Sequence, residues 1–330
     1  MHLKRIGLTA VLSMIASWAG GPGALAETPA EKPEVEGDAS SFVRLLRDEA
    51  GEPVAFETAV ARYVPADGKN EGLTVDLIAA VHVGDKKYYD RLNESFKAYD
   101  ALLYELVARE EDVPKRDKEG RLRERPGFSV IMALQQGVKS VLELEHQLSH
   151  INYEADNFVH ADMTPAEFNR SMRDRKESFF SMFLRMMKAQ LETQQGGETM
   201  SDAEVIAMLL SKDRAVQMKR AFAEQIEDLD GGMAALEGPE GSTIITERNK
   251  KALEVLDREI KAGKQRIGIF YGAGHLADME KRLAEEFGLK KDKQQWLEAW
   301  NLRLPAEADK EMARKKSPLE AALEALLPKP

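Results

Sequence analysis

The chain has 330 residues, 43% of them hydrophobic, with no cysteine and a formal net charge of −10. An acidic balance of this size repels phosphate backbones, so nucleic acid is excluded as an expected partner. The lack of cysteine excludes disulfides, thiolate metal ligands, thiol nucleophiles and a lipid-modified cysteine anchor.

The first residues read as a secretory signal. Lys4 and Arg5 give a basic start, residues 6–18 form a short apolar run, and Gly20, Gly21 and Pro22 break it. Ala24-Leu25-Ala26 then supplies a small-x-small cleavage site, so residues 1–26 are expected to be removed. The run is shorter than the ~20 residues that span a bilayer. The expected product is exported, periplasmic or extracellular, with no stable membrane anchor after cleavage. Loss of Lys4 and Arg5 takes its formal charge to −12. Residues 27–41, rich in Pro, Glu, Gly and Ala, read as a flexible linker.

Order is expected to begin near Phe42, and from there to Gly84 the pattern is of strands. Residues 54–64 are rich in β-formers and end at the turn signal Pro65-Ala66-Asp67-Gly68-Lys69-Asn70. Residues 73–83 are almost continuously apolar, as a buried strand is, and a hairpin should join the two. Residues 90–99 read as a helix, and 101–107 as a second short buried strand. Strand, helix and strand form a βαβ unit, so the two strands should run parallel.

The middle of the chain, about 128–235, reads as a helical insertion or cap. Helical periodicity covers 128–150. A capping box with proline at the first helical position, Thr164-Pro165-Ala166-Glu167, opens a helix expected to reach about Gln194. A second capping box, Ser201-Asp202-Ala203-Glu204, opens one to about Leu229. The α/β pattern then resumes, with a helix at 246–262, a strand at 266–271, a helix at 276–287 and a last strand around Trp296 and Trp300. Residues 304–330 form a charged tail. The expected fold is α/β, a mixed central sheet with flanking helices, over residues 42–303.

Three residues mark where chemistry would sit. His82 ends the first buried strand, and His275 follows Tyr271-Gly272-Ala273-Gly274 between a strand and a helix. Ligands bind open α/β sheets at the carboxyl ends of the strands, and neutral imidazole is a good metal ligand. Glu105 lies in the second apolar run, where a carboxylate is costly unless paired or bound to a cation. Each alone has an ordinary structural explanation, and their arrangement on neighbouring strand ends brings a functional reading level with it.

Other candidates carry weaker signals. His146 and His150 stand four apart on the expected helix, but the glutamate of H-E-x-x-H is missing between them. His160 and Asp162 immediately precede the Thr164 capping box, a position that suits either a site or loop-end packing. The methionine and phenylalanine cluster at 179–187 suits a core, or a substrate-facing cap if exposed.

Ala79-Ala80-Val81-His82, Glu105, Glu247-Arg248-Asn249 and Gly272-Ala273-Gly274-His275 together resemble the TraB/Tiki family. That family's pattern has two G-x-x-H motifs, a glutamate after the first and an arginine–asparagine pair before the second. Order and rough spacing agree over residues 73–287, and Ala79 stands where the first motif has glycine. The resemblance implies an EreA/ChaN-like fold and a metal-dependent peptidase acting on a peptide or protein substrate. It implies manganese or cobalt held by His82, Glu105 and His275, with Glu105 as ligand or general base. Arg248 would stabilise an oxyanion, grip a substrate carboxylate or simply pair with Glu105, with Asn249 nearby. The alternative function is sequestration of a peptide or haem-like ligand, with His82, His275 or Tyr271 available to haem iron.

Overall fold

Residues 74–80 are apolar except for Thr74 and Asp76. Successive side chains of a strand point to opposite faces, so such a run needs cover on both sides. The computed structural model describes residues 42–70, 72–109, 144–177, 211, 213–230 and 241–304, with backbone alone for 225–230, and both covers are present. In chain order the elements are β1 (Val43–Arg47), β2 (Pro53–Pro65), β3 (Thr74–Ala80), β4 (Val83–Gly84), α1 (Lys86–Phe96), β5 (Ala101–Tyr104), β6 (Glu145–His146) and the single turn α2 (Gln147–His150). Then follow β7 (Phe158–His160), α3 (Pro165–Asp174), α4 (Arg214–Asp230), a π-turn (Thr243–Glu247) running into α5 (Arg248–Lys261), β8 (Arg266–Gly272), α6 (Leu276–Phe287) and β9 (Leu289–Asn301).

The main sheet has seven strands in the order β1-β2-β3-β8-β5-β7, with β9 also pairing with β2. It is mixed: β1, β2, β3 and β9 pair antiparallel, whereas β3, β8, β5 and β7 are parallel. Val75, Leu77 and Ala79 of β3 pack with Leu253 and Leu256 of α5 and Met279 and Leu283 of α6. Ile78 and Ala80, on the opposite face, pack with Tyr88, Tyr89, Leu92 and Phe96 of α1. Each fully buried large apolar side chain contributes roughly 1.5–3 kcal/mol relative to exposure. Two such layers do the work that disulfides do in smaller folds.

The hairpin between β2 and β3 forms as its sequence suggests. Gly68 and Asn70 take positive φ of 70° and 63°, the left-handed conformation that glycine and asparagine tolerate. The βαβ unit also forms, with one difference. β3 and β5 are parallel but not adjacent, because β8 from far along the chain lies between them. At Gly268 the insertion is tight: a Cβ there would come within 2.6 Å of a Leu102 methyl and 3.1 Å of one on Ile78. Gly268→Ala is therefore expected to lose about 1–3 kcal/mol to overpacking, read as a lower denaturant midpoint with unchanged slope.

The middle of the chain differs more. Residues expected to continue a helix up to His150 instead form β6, which pairs with β4, and the single turn α2. His146 has extended backbone and so shares no helix face with His150. His150 contacts Glu145 at 3.0 Å and stacks on Tyr89. β7, which periodicity did not reveal, adds a parallel strand to the core sheet beside β5. The Thr164 capping box is present, with Thr164 Oγ1 accepting from the Glu167 N–H and Glu167 accepting from the Thr164 N–H.

The helix it opens stops at Asp174 rather than near Gln194. Lys176 turns left-handed, and Arg175 and Glu177 are drawn to the backbone of Gly241 and Thr243. Long-range partners thus end what local periodicity would have continued. The signal, the linker, the 128–143 stretch of the expected helix, the Ser201 capping box, the cluster at 179–187 and the tail beyond Leu304 lie outside the described residues. Among the described residues no helix is long and apolar enough to cross a membrane.

Candidate functional site

Four parallel strands end on the same side of the sheet, and each delivers a polar residue or a site glycine there. His82 follows β3 by two residues, Glu105 follows β5 by one, Asp162 follows β7 by two, and Gly272 closes β8 just before His275. Parallel order makes these ends converge, which is why open α/β sheets bind ligands there. Glu105 therefore lies just beyond its strand rather than within it. Arg248 and Asn249 reach the cluster from the first turn of α5.

Their placement depends on the π-turn before α5. Gly241 has φ +74°, and a Cβ there would collide with Thr246. Ser242 caps the turn by accepting from the Ile245 N–H at 3.2 Å. A π-turn inside a helix start is an uncommon arrangement found often at functional sites. Here it brings Arg248 and Asn249 inward together, at 5% and 0% exposure.

The guanidinium of Arg248 is shared between two carboxylates. Nη2 donates to Glu105 Oε1 at 2.7 Å and to Asp162 Oδ2 at 2.6 Å, while Nε donates to Asp162 Oδ1 at 3.0 Å. Glu105 Oε2 accepts from the Gly272 N–H at 2.7 Å. A side chain at Gly272 would place Cβ 3.2 Å from that oxygen, so glycine leaves room for the carboxylate to approach the backbone. Burial would raise the Glu105 carboxyl, but the Arg248 charge, with nearby histidines and the Gly272 N–H, outweighs it and holds the group well below the usual carboxylate range. Burial likewise works against the charge of Arg248, and Glu105 and Asp162 reverse that effect and raise its pKa.

His275 is buried beside this network. Its Nε2 lies 3.6 Å from Glu105 Oε1 and 3.4 Å from Arg248 Nη1, and its Nδ1 lies 2.7 Å from Asn249 Oδ1. Burial pushes the imidazole pKa down to about 4, against the opposing pull of Glu105, so the ring is neutral at pH 7. His82 lies close enough to interact electrostatically with both Glu105 and His275. Two carboxylates against one guanidinium leave the buried cluster with a formal charge of −1.

His82, Glu105 and His275 thus belong to one region, as do Arg248, Asn249 and Asp162. His160 is turned away: its Nε2 donates to the Leu106 carbonyl at 2.7 Å and its ring meets Tyr104 edge-on. The Tyr271 hydroxyl donates to the Ala161 carbonyl. Sequence reasoning missed Asp278, whose carboxylate accepts from Asn249 at 2.8 Å, and Gln147, whose backbone N–H binds the His82 carbonyl at 2.9 Å. Asp278 lies in the first turn of α6 and carries no motif of its own, so only the folded chain shows it beside Asn249.

As the side chains stand, no three histidine, aspartate or glutamate groups among the described residues meet at metal-ligand distance. Two donors do. Ligand bonds of roughly 2.0–2.2 Å at a tetrahedral centre set neighbouring donors about 3.4 Å apart, close to the 3.6 Å between His275 Nε2 and Glu105 Oε1. A neutral imidazole and an ionised carboxylate are donor types a cation takes, but both atoms also face the Arg248 guanidinium, with Nη2 2.7 Å from Oε1 and Nη1 3.4 Å from Nε2.

Fold and site together define an α/β protein with a mixed central sheet and flanking helices, which gathers ionisable groups at the carboxyl ends of its parallel strands. No protein-family model, curated protein or solved structure matches the chain.

Proposed function

We propose that this protein is an exported metal-dependent hydrolase of the TraB/Tiki kind, with an EreA/ChaN-like fold, that cleaves peptides or proteins. The observation that carries the reading is the pairing of a neutral His275 with an ionised Glu105 at ligand separation, inside a cluster of net negative charge. His275, Glu105 and His82 would hold the ion, manganese or cobalt on the resemblance. When bound, a divalent ion lowers the pKa of water and polarises a carbonyl. Export rests on the pattern of residues 1–26.

The chain's own groups divide the remaining work. A general base serves best with a pKa near the working pH, and Glu105 is held far below that, so its role is ligand rather than base. Arg248 has its guanidinium engaged by Asp162 and Glu105, which suits it to fixing Glu105 rather than gripping a substrate carboxylate.

Metal removal tests the reading. The mature protein is expected to bind one manganese or cobalt ion, to cleave members of a peptide library, to lose cleavage on chelation and to regain it when metal is restored. No metal uptake at all would sink the hydrolase. The same engagement of Arg248, with no group of three possible metal donors among the described residues, favours the second reading, capture of a peptide or haem-like ligand without turnover. That reading expects tight binding indifferent to chelator, with His82 or His275 facing haem iron rather than Tyr271, whose hydroxyl is engaged by Ala161.

A further inference from the structure

A neutral imidazole carries one proton, and which nitrogen holds it decides which one can bind a cation. Around His275 the hydrogen bonds of Asn249 settle the choice. The Asn249 Nδ2 atom lies 2.9 Å from the His275 carbonyl oxygen and 2.8 Å from Asp278 Oδ2. Both are acceptors only, so the NH2 end of the amide must face them. Oδ1 is then left facing His275 Nδ1 at 2.7 Å, and that contact is a hydrogen bond only if Nδ1 carries the proton.

We propose that Asn249, oriented by Asp278, is a positioning residue that fixes His275 with its proton on Nδ1 and its lone pair on Nε2, toward Glu105. The need for such a device follows from the other side of the ring. Glu105 Oε1, 3.6 Å from Nε2, would attract a proton there, whereas Arg248 Nη1, 3.4 Å away and able only to donate, agrees with a lone pair on Nε2. A His275 protonated on Nε2 has no lone pair to offer a metal. Asp278 is itself held, accepting from Arg282 Nε at 2.8 Å, while Arg282 also reaches Glu286. The line from the surface of α6 to the site is Arg282, Asp278, Asn249, His275. It parallels the carboxylate or carbonyl partners that orient metal-binding histidines elsewhere, with an amide as the link.

The proposal rests on His275 serving as a metal ligand, but its first test needs neither metal nor turnover. Mature protein labelled with 15N-histidine and stripped of metal gives two-bond 1H–15N correlations that distinguish the two tautomers, with His275→Gln identifying the signal. The wild type is expected to show the Nδ1–H pattern. Asn249→Leu is expected to move His275 toward Nε2–H, and Asp278→Ala, nearer the surface, toward a mixture. An Nε2–H pattern in the wild type overturns the proposal, as does an unchanged pattern in both variants. Cobalt affinity is the second readout, expected to weaken about 10–100-fold in Asn249→Leu. A shifted tautomer with unchanged cobalt affinity overturns the claim that Asn249 acts through the lone pair. If the wild type has the Nδ1–H tautomer but cleaves nothing, the hydrolase reading fails and the positioning role stands.

Discussion

Arg248→Met is expected to destabilise the protein by about 3–5 kcal/mol, the cost typical of removing one partner from a buried charge network. The side chains concerned are 6%, 11% and 0% exposed for Arg248, Glu105 and Asp162. Without the guanidinium, two carboxylates remain facing one another in a site with little water to screen them. Methionine fills much of the arginine volume, so the loss reports charge and hydrogen bonding rather than a cavity. Pairing the change with Asp162→Asn is expected to recover part of it, because one stranded charge goes as well. Arg248→Lys keeps the charge but cannot reproduce the two-pronged contact with Asp162, and is expected to fall between. Equilibrium denaturation measures all three. A loss below about 1 kcal/mol for Arg248→Met, the range of surface pairs, would mean the network is solvated and the burial argument wrong.

The second large effect is on metal binding. His275→Ala is expected to weaken cobalt or manganese affinity by more than about 100-fold, beyond what loss of an outer partner costs, and to reduce peptide cleavage to the level of chelated protein. Stability is expected to fall by about 1–3 kcal/mol as well, since the neutral ring leaves no stranded charge but its loss takes the hydrogen-bond partner from the buried Asn249 Oδ1. His150→Ala is the control. That ring lies against Glu145 and Tyr89, and its loss is expected to leave metal affinity as it was. Titration calorimetry with metal alone decides the point. Equal affinity in wild type and His275→Ala would remove His275 from the ligand set and with it the proposed chemistry.

Much of the fold was legible because it depends on local chemistry. The apolar run of β3, the Pro65–Asn70 turn, the Thr164 capping box, and the boundaries of β8 and α6 all follow from neighbouring residues. The middle of the chain was less so. β7 is only three residues long, too short for a period to show, and α3 ends where Arg175 and Glu177 meet residues more than sixty positions away. Periodicity starts the next helix at Thr246, whereas the chain already turns at Thr243, since a π-turn departs from the 3.6-residue repeat on which helix reading depends.

The site divides in the same way. His82, Glu105 and His275 stood out because a histidine or carboxylate at the end of an apolar run is energetically conspicuous in sequence. Asp278 and Asp162 carried weak signals or none, because an acid near a helix start has ordinary uses as a cap or a dipole partner. What the sequence by itself determined was which segments must be buried and which residue types stand at their ends. The tertiary structure alone decided that β8 lies between β3 and β5 and that β7 lies beside β5. Strand order is set by long-range pairing and by packing of both sheet faces, and neither is encoded within a window of neighbouring residues. It is that order which brings Glu105, Asp162, Arg248 and His275 within reach of one another.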